Sequence, residues 1–233
     1  MAAKRIGLLG ASRGAARSTA STDRYDPVPA ANAVDLYDDN AEKVAILFEM
    51  VSFEIVHGRL VDLLPPCPAT VLDVGAGSGR DAAWLANGGY DVVAVEPSAS
   101  MRSIARRLHP DTSIRWIDDS LPGLDVVTQS GLSFDVILLS GVWMHIPVPD
   151  RPRAFRRLVA LLKPGGILAM TFRGGPASRE KHVHPVSMAE IEALARDHGA
   201  ITERITEAVH RLGRDDVHWT QVALRLSDEA AGA

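Results

Sequence analysis

VLDVGAGSGRDAAWLA, residues 71–86, is the stretch that decides the fold. Val71, Leu72 and Val74, broken by the acid Asp73, run into glycines at alternate positions, Gly75, Gly77 and Gly79. An apolar, alanine-rich helical pattern follows at once. The order predicts strand, tight turn and helix. Glycine suits a sharp reversal where a ligand approaches bare backbone, and the helix start offers unpaired N–H groups and partial positive charge to an anionic group. A nucleotide-like cofactor fits such a turn. In the dinucleotide fingerprint GxGxxG the last glycine would fall where Arg80 stands, so the spacing is wrong for a pyrophosphate. Asp73, two residues before the first glycine, would repel a phosphate but can hold an ammonium group, directly or through water.

The residues beyond this unit repeat the alternation of strand and helix. DVVAVEPSASM (91–101) reads as a second strand ending at Glu96, then a helix opened by Ser98 or Ser100. Glu96 lies 23 positions after Asp73, close to the offset at which an acid at the end of strand two accepts ribose hydroxyls; a carboxylate has the two oxygens a vicinal diol needs. IRWIDDSLP (114–122) is a third strand ending in Asp118 and Asp119. FDVILLSGVWMHIP (134–147) is nearly all apolar, as a central parallel strand buried on both faces should be. A helix over 150–162, a KPGG turn at 163–166 and a fifth strand ILAMTFR (167–173) follow. The polar loop after Arg173 carries Arg179, Lys181, His182 and His184, a composition suited to the border of an active site. A helix over 188–198 and two alternating stretches, AITERITEAV and VHWTQVALRL, complete the pattern.

Upstream, apolar residues from Ala41 to Leu64 recur at helical spacing, predicting one long helix or two short ones before the first strand. His57 in this run reads as a surface or satisfied core residue. Residues 1–22 contain Lys4, Arg5, Arg13 and Arg17 but no acid, and GASRG at 10–14 lacks the following helix, strand and acid of a dehydrogenase turn. An acid-poor leader of this kind matches either an organelle transit peptide or a disordered start, and the disordered start is the expectation. The domain boundaries expected are a leader over 1–34, one domain over 35–226 and a disordered tail over 227–233.

Bulk properties narrow the function. The chain has 233 residues, 46% of them hydrophobic and 23% charged, which is enough for one sizeable core. A net charge of -4 gives no footprint for non-specific nucleic-acid binding, so nucleic acid is disfavoured as a partner. The single cysteine, Cys67, excludes an internal disulfide and fits a cytoplasmic setting; no apolar run is long enough to cross a membrane.

The acid before GxGxG, the acid ending strand two and the 134–173 block together resemble the class I S-adenosylmethionine-dependent methyltransferases, over about residues 35–226. The resemblance implies an α/β, Rossmann-like seven-stranded sheet, mostly parallel with an antiparallel C-terminal hairpin and helices on both faces. It implies S-adenosyl-L-methionine as cofactor, S-adenosyl-L-homocysteine as product and no metal. Cofactor contacts are expected from Tyr37, Asp73, Gly75, Gly77, Gly79, Arg80, Glu96, Pro97, Ser98, Met101, Ser120, Ser140 and Gly141, with either Asp118 or Asp119 on the adenine. His145, Arg173 and His184 are the candidate catalytic residues. The expected acceptor is a small, anionic molecule, and the protein a monomer or homodimer. A methyltransferase of tRNA or protein side chains and a non-catalytic binder of the cofactor remain as alternatives.

Overall fold

The computed structural model describes residues 31–110, 112–174, 182–209 and 218–228. The expected leader, apart from 31–34, and the tail beyond 228 lie outside the described residues. Among those described, the chain runs α1 (Ala31–Glu49), α2 (Phe53–His57), β1 (Thr70–Val74), α3 (Arg80–Asn87), β2 (Asp91–Val95), α4 (Ala99–Leu108) and β3 (Ile114–Ile117). It continues through α5 (Asp125–Gln129), β4 (Phe134–Ser140), α6 (Arg151–Leu161), β5 (Leu162–Gly174), α7 (Met188–Asp197), β6 (Ala200–Val209) and β7 (His218–Leu226). Short 3-10 turns lie at Val61–Leu63, Trp143–His145 and Val148–Asp150.

Seven strands form one sheet in the order β3-β2-β1-β4-β5-β7-β6. The pairs β3/β2, β2/β1, β1/β4 and β4/β5 are parallel, and β7 runs antiparallel to both β5 and β6, giving the predicted C-terminal hairpin. Val183 adds an isolated bridge residue besides these seven strands. The strand order reverses between β1 and β4, and a ligand crevice in such a sheet lies outside the carboxyl ends at that switch point.

Strand alternation sorts the core into two layers. Leu72, Val74, Val93, Val95, Ile137 and Leu139 meet Phe155, Leu158 and Ile191 of α6 and α7 on one face. Val71, Val92, Val136 and Leu138 meet Phe53 of α2 and Ala82 and Leu85 of α3 on the other. Asp73 shares the parity of Val71, so the one acid of β1 points toward α2 and α3 and becomes buried with them. α1 packs on α4 through Ala41, Ala45, Met101 and Ile104.

Several elements depart from the sequence reading. The Ala41–Leu64 run is divided among the end of α1, α2 and the Val61–Leu63 turn, and α1 itself begins at Ala31, ahead of the expected boundary at 35. KPGG is not a free turn: it lies within β5, where pairing jumps from Phe134–Leu162 to Val136–Ile167, so the extra residues form an irregularity. Ser227, expected in a disordered tail, donates its N–H to the Gly199 carbonyl at 3.0 Å. The α5 turn was not foreseen.

Candidate functional site

The β1–α3 turn is built by backbone that glycine alone adopts easily. Gly75, Gly77 and Gly79 have φ of 72°, 55° and 84°. The N–H groups of Gly75 and Ala76 both donate to the Val95 carbonyl, which ties the turn to the end of β2. A Cβ at Gly75 would lie 2.5 Å from the Val142 side chain, so a side chain is barred by contact as well as by conformation. Phe48 at the end of α1 faces Gly77, where a Cβ would sit 3.3 Å from its ring. α1 therefore lies across the turn.

Three acids converge on this turn. Asp73 is 1% exposed, and neither of its oxygens has a hydrogen-bond partner. Burial first, and then the neighbouring Asp81, push its carboxyl well above the usual range. Glu96 accepts the N–H of Gly77 at 2.8 Å and that of Ser98 at 2.9 Å, one on each oxygen. Burial raises its pKa in spite of those two bonds. The third, Asp81, was not singled out from the sequence; it takes His57 Nε2 at 2.9 Å and Arg80 through Nε at 2.7 Å and a terminal nitrogen at 2.9 Å. Burial raises the Asp81 carboxyl, but His57 and Arg80 more than reverse this and hold it well below the ordinary value.

The predicted cofactor residues take several distinct positions. Ser98 caps α4, accepting the Met101 N–H at 3.0 Å, and donates its hydroxyl to Asp38 of α1, while Pro97 links it to Glu96. Met101 is buried beneath α1. Ser140 Oγ lies 3.1 Å from His57 Nε2, toward α2. Gly141, with φ 71°, donates its N–H to the Thr171 carbonyl at 2.9 Å. Asp119 is committed to backbone, accepting the N–H groups of Ser120, Val126 and Val127 as the cap of α5. Asp118 stays largely exposed and pairs with Arg102 at 2.7 Å. Arg80 is drawn to Asp81, and its other terminal nitrogen donates to the Phe48 carbonyl at 3.1 Å.

Past the end of β4 a second cluster forms. His145 Nδ1 donates to the His182 carbonyl at 2.8 Å, which leaves Nε2 as the acceptor for the Tyr37 hydroxyl at 3.2 Å. Burial pushes His145 below its usual pKa and, with Glu96 nearby, pushes Tyr37 up to about 12. Both groups are therefore neutral near pH 7. His184 is buried beside them, its N–H donating to the Met144 carbonyl at 2.8 Å. Arg173 is the last residue but one of β5, half-buried, paired in register with Trp219. The loop cations Arg179 and Lys181 lie outside the described residues. Arg151, which the sequence reading passed over, is 1% exposed and joins the two segments: Nε donates to the Ile146 carbonyl, and one terminal nitrogen donates to the Pro185 carbonyl and pairs with Glu190. Among the described residues no three His, Cys, Asp or Glu side chains are grouped to hold a metal, and no helix is long and apolar enough to cross a membrane.

Comparison with known proteins agrees with this geometry. Residues 71–166 match the family described as methyltransferase domain. An uncharacterized methyltransferase of Mycobacterium tuberculosis is 30% identical over 161 residues, covering 68% of this chain and 60% of that protein. The chain thus spans less than two thirds of that relative's length. A ubiquinone biosynthesis O-methyltransferase of Coxiella burnetii is 33% identical over 98 residues, 42% of this chain and 41% of that one. Among solved structures, the 1,6-didemethyltoxoflavin-N1-methyltransferase of Burkholderia thailandensis, with bound 1,6-didemethyltoxoflavin and S-adenosylhomocysteine, superposes with TM-score 0.65 at 21% identity over 87% of this chain and 93% of that one. Magnesium protoporphyrin IX methyltransferase of Synechocystis, with bound S-adenosylhomocysteine, gives TM-score 0.62 at 15% identity over 84% and 100%. At these identities the superpositions speak for the fold, while the sequence matches show that the chain carries, over residues 71–166, a methyltransferase domain similar to those of S-adenosylmethionine-dependent methyltransferases.

Proposed function

We propose that the protein transfers a methyl group from S-adenosyl-L-methionine to a small, anionic acceptor. The observation that carries the cofactor assignment is Asp73: a buried carboxyl group without a hydrogen-bond partner, set beneath a glycine turn, suits a ligand's ammonium group. Glu96 keeps a free lone pair on each oxygen after accepting Gly77 and Ser98, enough to receive both ribose hydroxyls. Asp118 suits the adenine amino group better than Asp119, whose oxygens are already taken, one by the Ser120 N–H and the other by the start of α5.

The cofactor supplies a sulfonium methyl that an oxygen, nitrogen, carbon or sulfur nucleophile attacks in line. The chain's part is placement, which supplies about 7–11 kcal/mol when the reacting atoms are held together, and proton removal where a proton must leave. His145 Nε2 suits the second task. Its Nδ1–H is fixed on the His182 carbonyl, so the ring holds the tautomer in which Nε2 accepts a proton. Arg173 suits a carboxylate or phosphate of the acceptor.

A small acceptor is supported by relatives whose names include small-molecule methyltransferases and by the acidic net charge. Incubation of extract fractions with methyl-labelled cofactor, sorted into metabolites, RNA and protein, tests the reading. Label entering an anionic metabolite is the expected result; label entering RNA or protein alone would overturn the acceptor class. Cofactor binding with no transfer to any fraction would favour the non-catalytic alternative.

A further inference from the structure

This inference rests on the β1–α3 turn being the cofactor site. Asp73 is one of three carboxylates around a single guanidinium, and that guanidinium is already engaged. Arg80 gives Nε and one terminal nitrogen to Asp81, and the other terminal nitrogen to the Phe48 carbonyl. Asp81 is in turn held by His57, which shares one of its oxygens with Arg80 and whose ring packs on Phe53 with centroids 4.8 Å apart. The charged groups acting on Asp73 are Asp81 and Arg80 of α3 and Glu96 after β2; Glu49 of α1 and His57 of α2 reach the cluster through Arg80 and Asp81. The Ala82 N–H lies near Asp73 without forming a hydrogen bond to it. A carboxyl group buried in this way, with two acids beside it, is costly to ionise until a cation arrives.

We propose that Asp81, locked by His57, withholds Arg80 from Asp73, so that Asp73 is a neutral acid in the free chain and gives up its proton when a ligand's ammonium group binds. Asp81 and His57 are then positioning residues: they touch no ligand but keep Asp73 available. The balance is simple. The O–H bond of Asp73 breaks, the proton goes to the buffer, and the ammonium becomes the counterion.

Calorimetric titration with S-adenosylhomocysteine at one pH, in two buffers of different ionisation enthalpy, counts the protons. The wild type should release about one proton per ligand, Asp73→Asn none, and 5′-methylthioadenosine, which lacks the amino-acid arm, none from the wild type. Asp81→Asn should let Arg80 turn to Asp73, weakening S-adenosylhomocysteine binding about tenfold or more and reducing the proton count. Adding Arg80→Gln to Asp81→Asn should restore the proton release, a recovery that loss of structure would not produce. If Asp81→Asn does not fold, the wild-type count and its loss in Asp73→Asn carry the test. No proton released by the wild type, or wild-type behaviour of a folded Asp81→Asn, overturns the inference. Absence of S-adenosylhomocysteine binding by the wild type would instead overturn the reading of the site.

Discussion

Replacing Glu96 with Gln should damage cofactor binding and stability by separable amounts. The two carboxylate oxygens each accept a backbone N–H, from Ser98 at 2.9 Å and Gly77 at 2.8 Å, and the side chain is 7% exposed. Gln keeps one acceptor and puts an NH2 group where the other stood, so one of these buried N–H groups faces a donor. Leaving a buried donor unsatisfied costs about 1–3 kcal/mol. For a chain of this size that lowers Tm by about 2–12 °C. The ribose loses a charge-assisted acceptor as well, worth about 1.5–3 kcal/mol, so affinity for S-adenosylhomocysteine should fall about 10- to 100-fold. Calorimetry measures affinity and a thermal melt measures stability, both on the same preparation. An unchanged Kd would refute Glu96 as the ribose acid; an unchanged Tm would refute the stabilisation assigned to the Gly77 and Ser98 bonds.

Other outcomes follow from the same geometry. Asp118→Ala should weaken cofactor binding with little change in Tm, whereas Asp119→Ala should remove the α5 cap and cost about 0.5–2 kcal/mol of stability; the reverse pattern in calorimetry and melts would exchange their roles. With an acceptor in hand, His145→Gln should lower kcat about 10²- to 10⁴-fold if a proton must leave, while cofactor Kd stays put. Because burial lowers the His145 pKa, the wild-type rate should hold above that value and fall only as pH drops through it; a pH-independent rate would remove His145 as base. Arg173→Leu should raise KM for an anionic acceptor without changing cofactor affinity, and normal kinetics would exclude the anion clamp. Burial raises the Asp135 carboxyl, but Lys163 at 2.7 Å and the Thr70 N–H and hydroxyl bring it below its ordinary value. Its stabilising contribution is present above the unfolded pKa and lost as pH falls through the folded one, so the Tm gap between wild type and Asp135→Asn should close in acid.

The backbone of the site was readable because its causes are local. Three glycines at alternate positions dictate a turn of positive φ, and an acid at odd parity in β1 dictates which helices bury it. The commitments of the side chains were not readable, because each partner comes from far along the chain. Asp81 pairs with His57, 24 residues earlier, and Ser98 with Asp38, 60 residues earlier. His57 looked like a surface or satisfied core residue; it is satisfied, by Asp81 at the start of α3. Asp118 and Asp119 were indistinguishable as candidates for the adenine, yet the appearance of α5 recruits Asp119 as a cap. KPGG carries every mark of a turn, but β5 runs on through it, with 163–166 bulging unpaired between the Leu162 and Ile167 pairs to β4. Arg151 gives no signal in isolation, since only folding brings the Ile146 and Pro185 carbonyls together around it.

The central claim is that Asp73 and Glu96, on either side of the Gly75–Gly79 turn, hold S-adenosylmethionine. A crystal of the protein grown with S-adenosylhomocysteine measures this most directly. Density should place the amino group at Asp73 and the ribose hydroxyls at Glu96, with the adenine near Asp118. Density for the ligand elsewhere, or a bound ligand whose amino group points away from Asp73, would contradict the account.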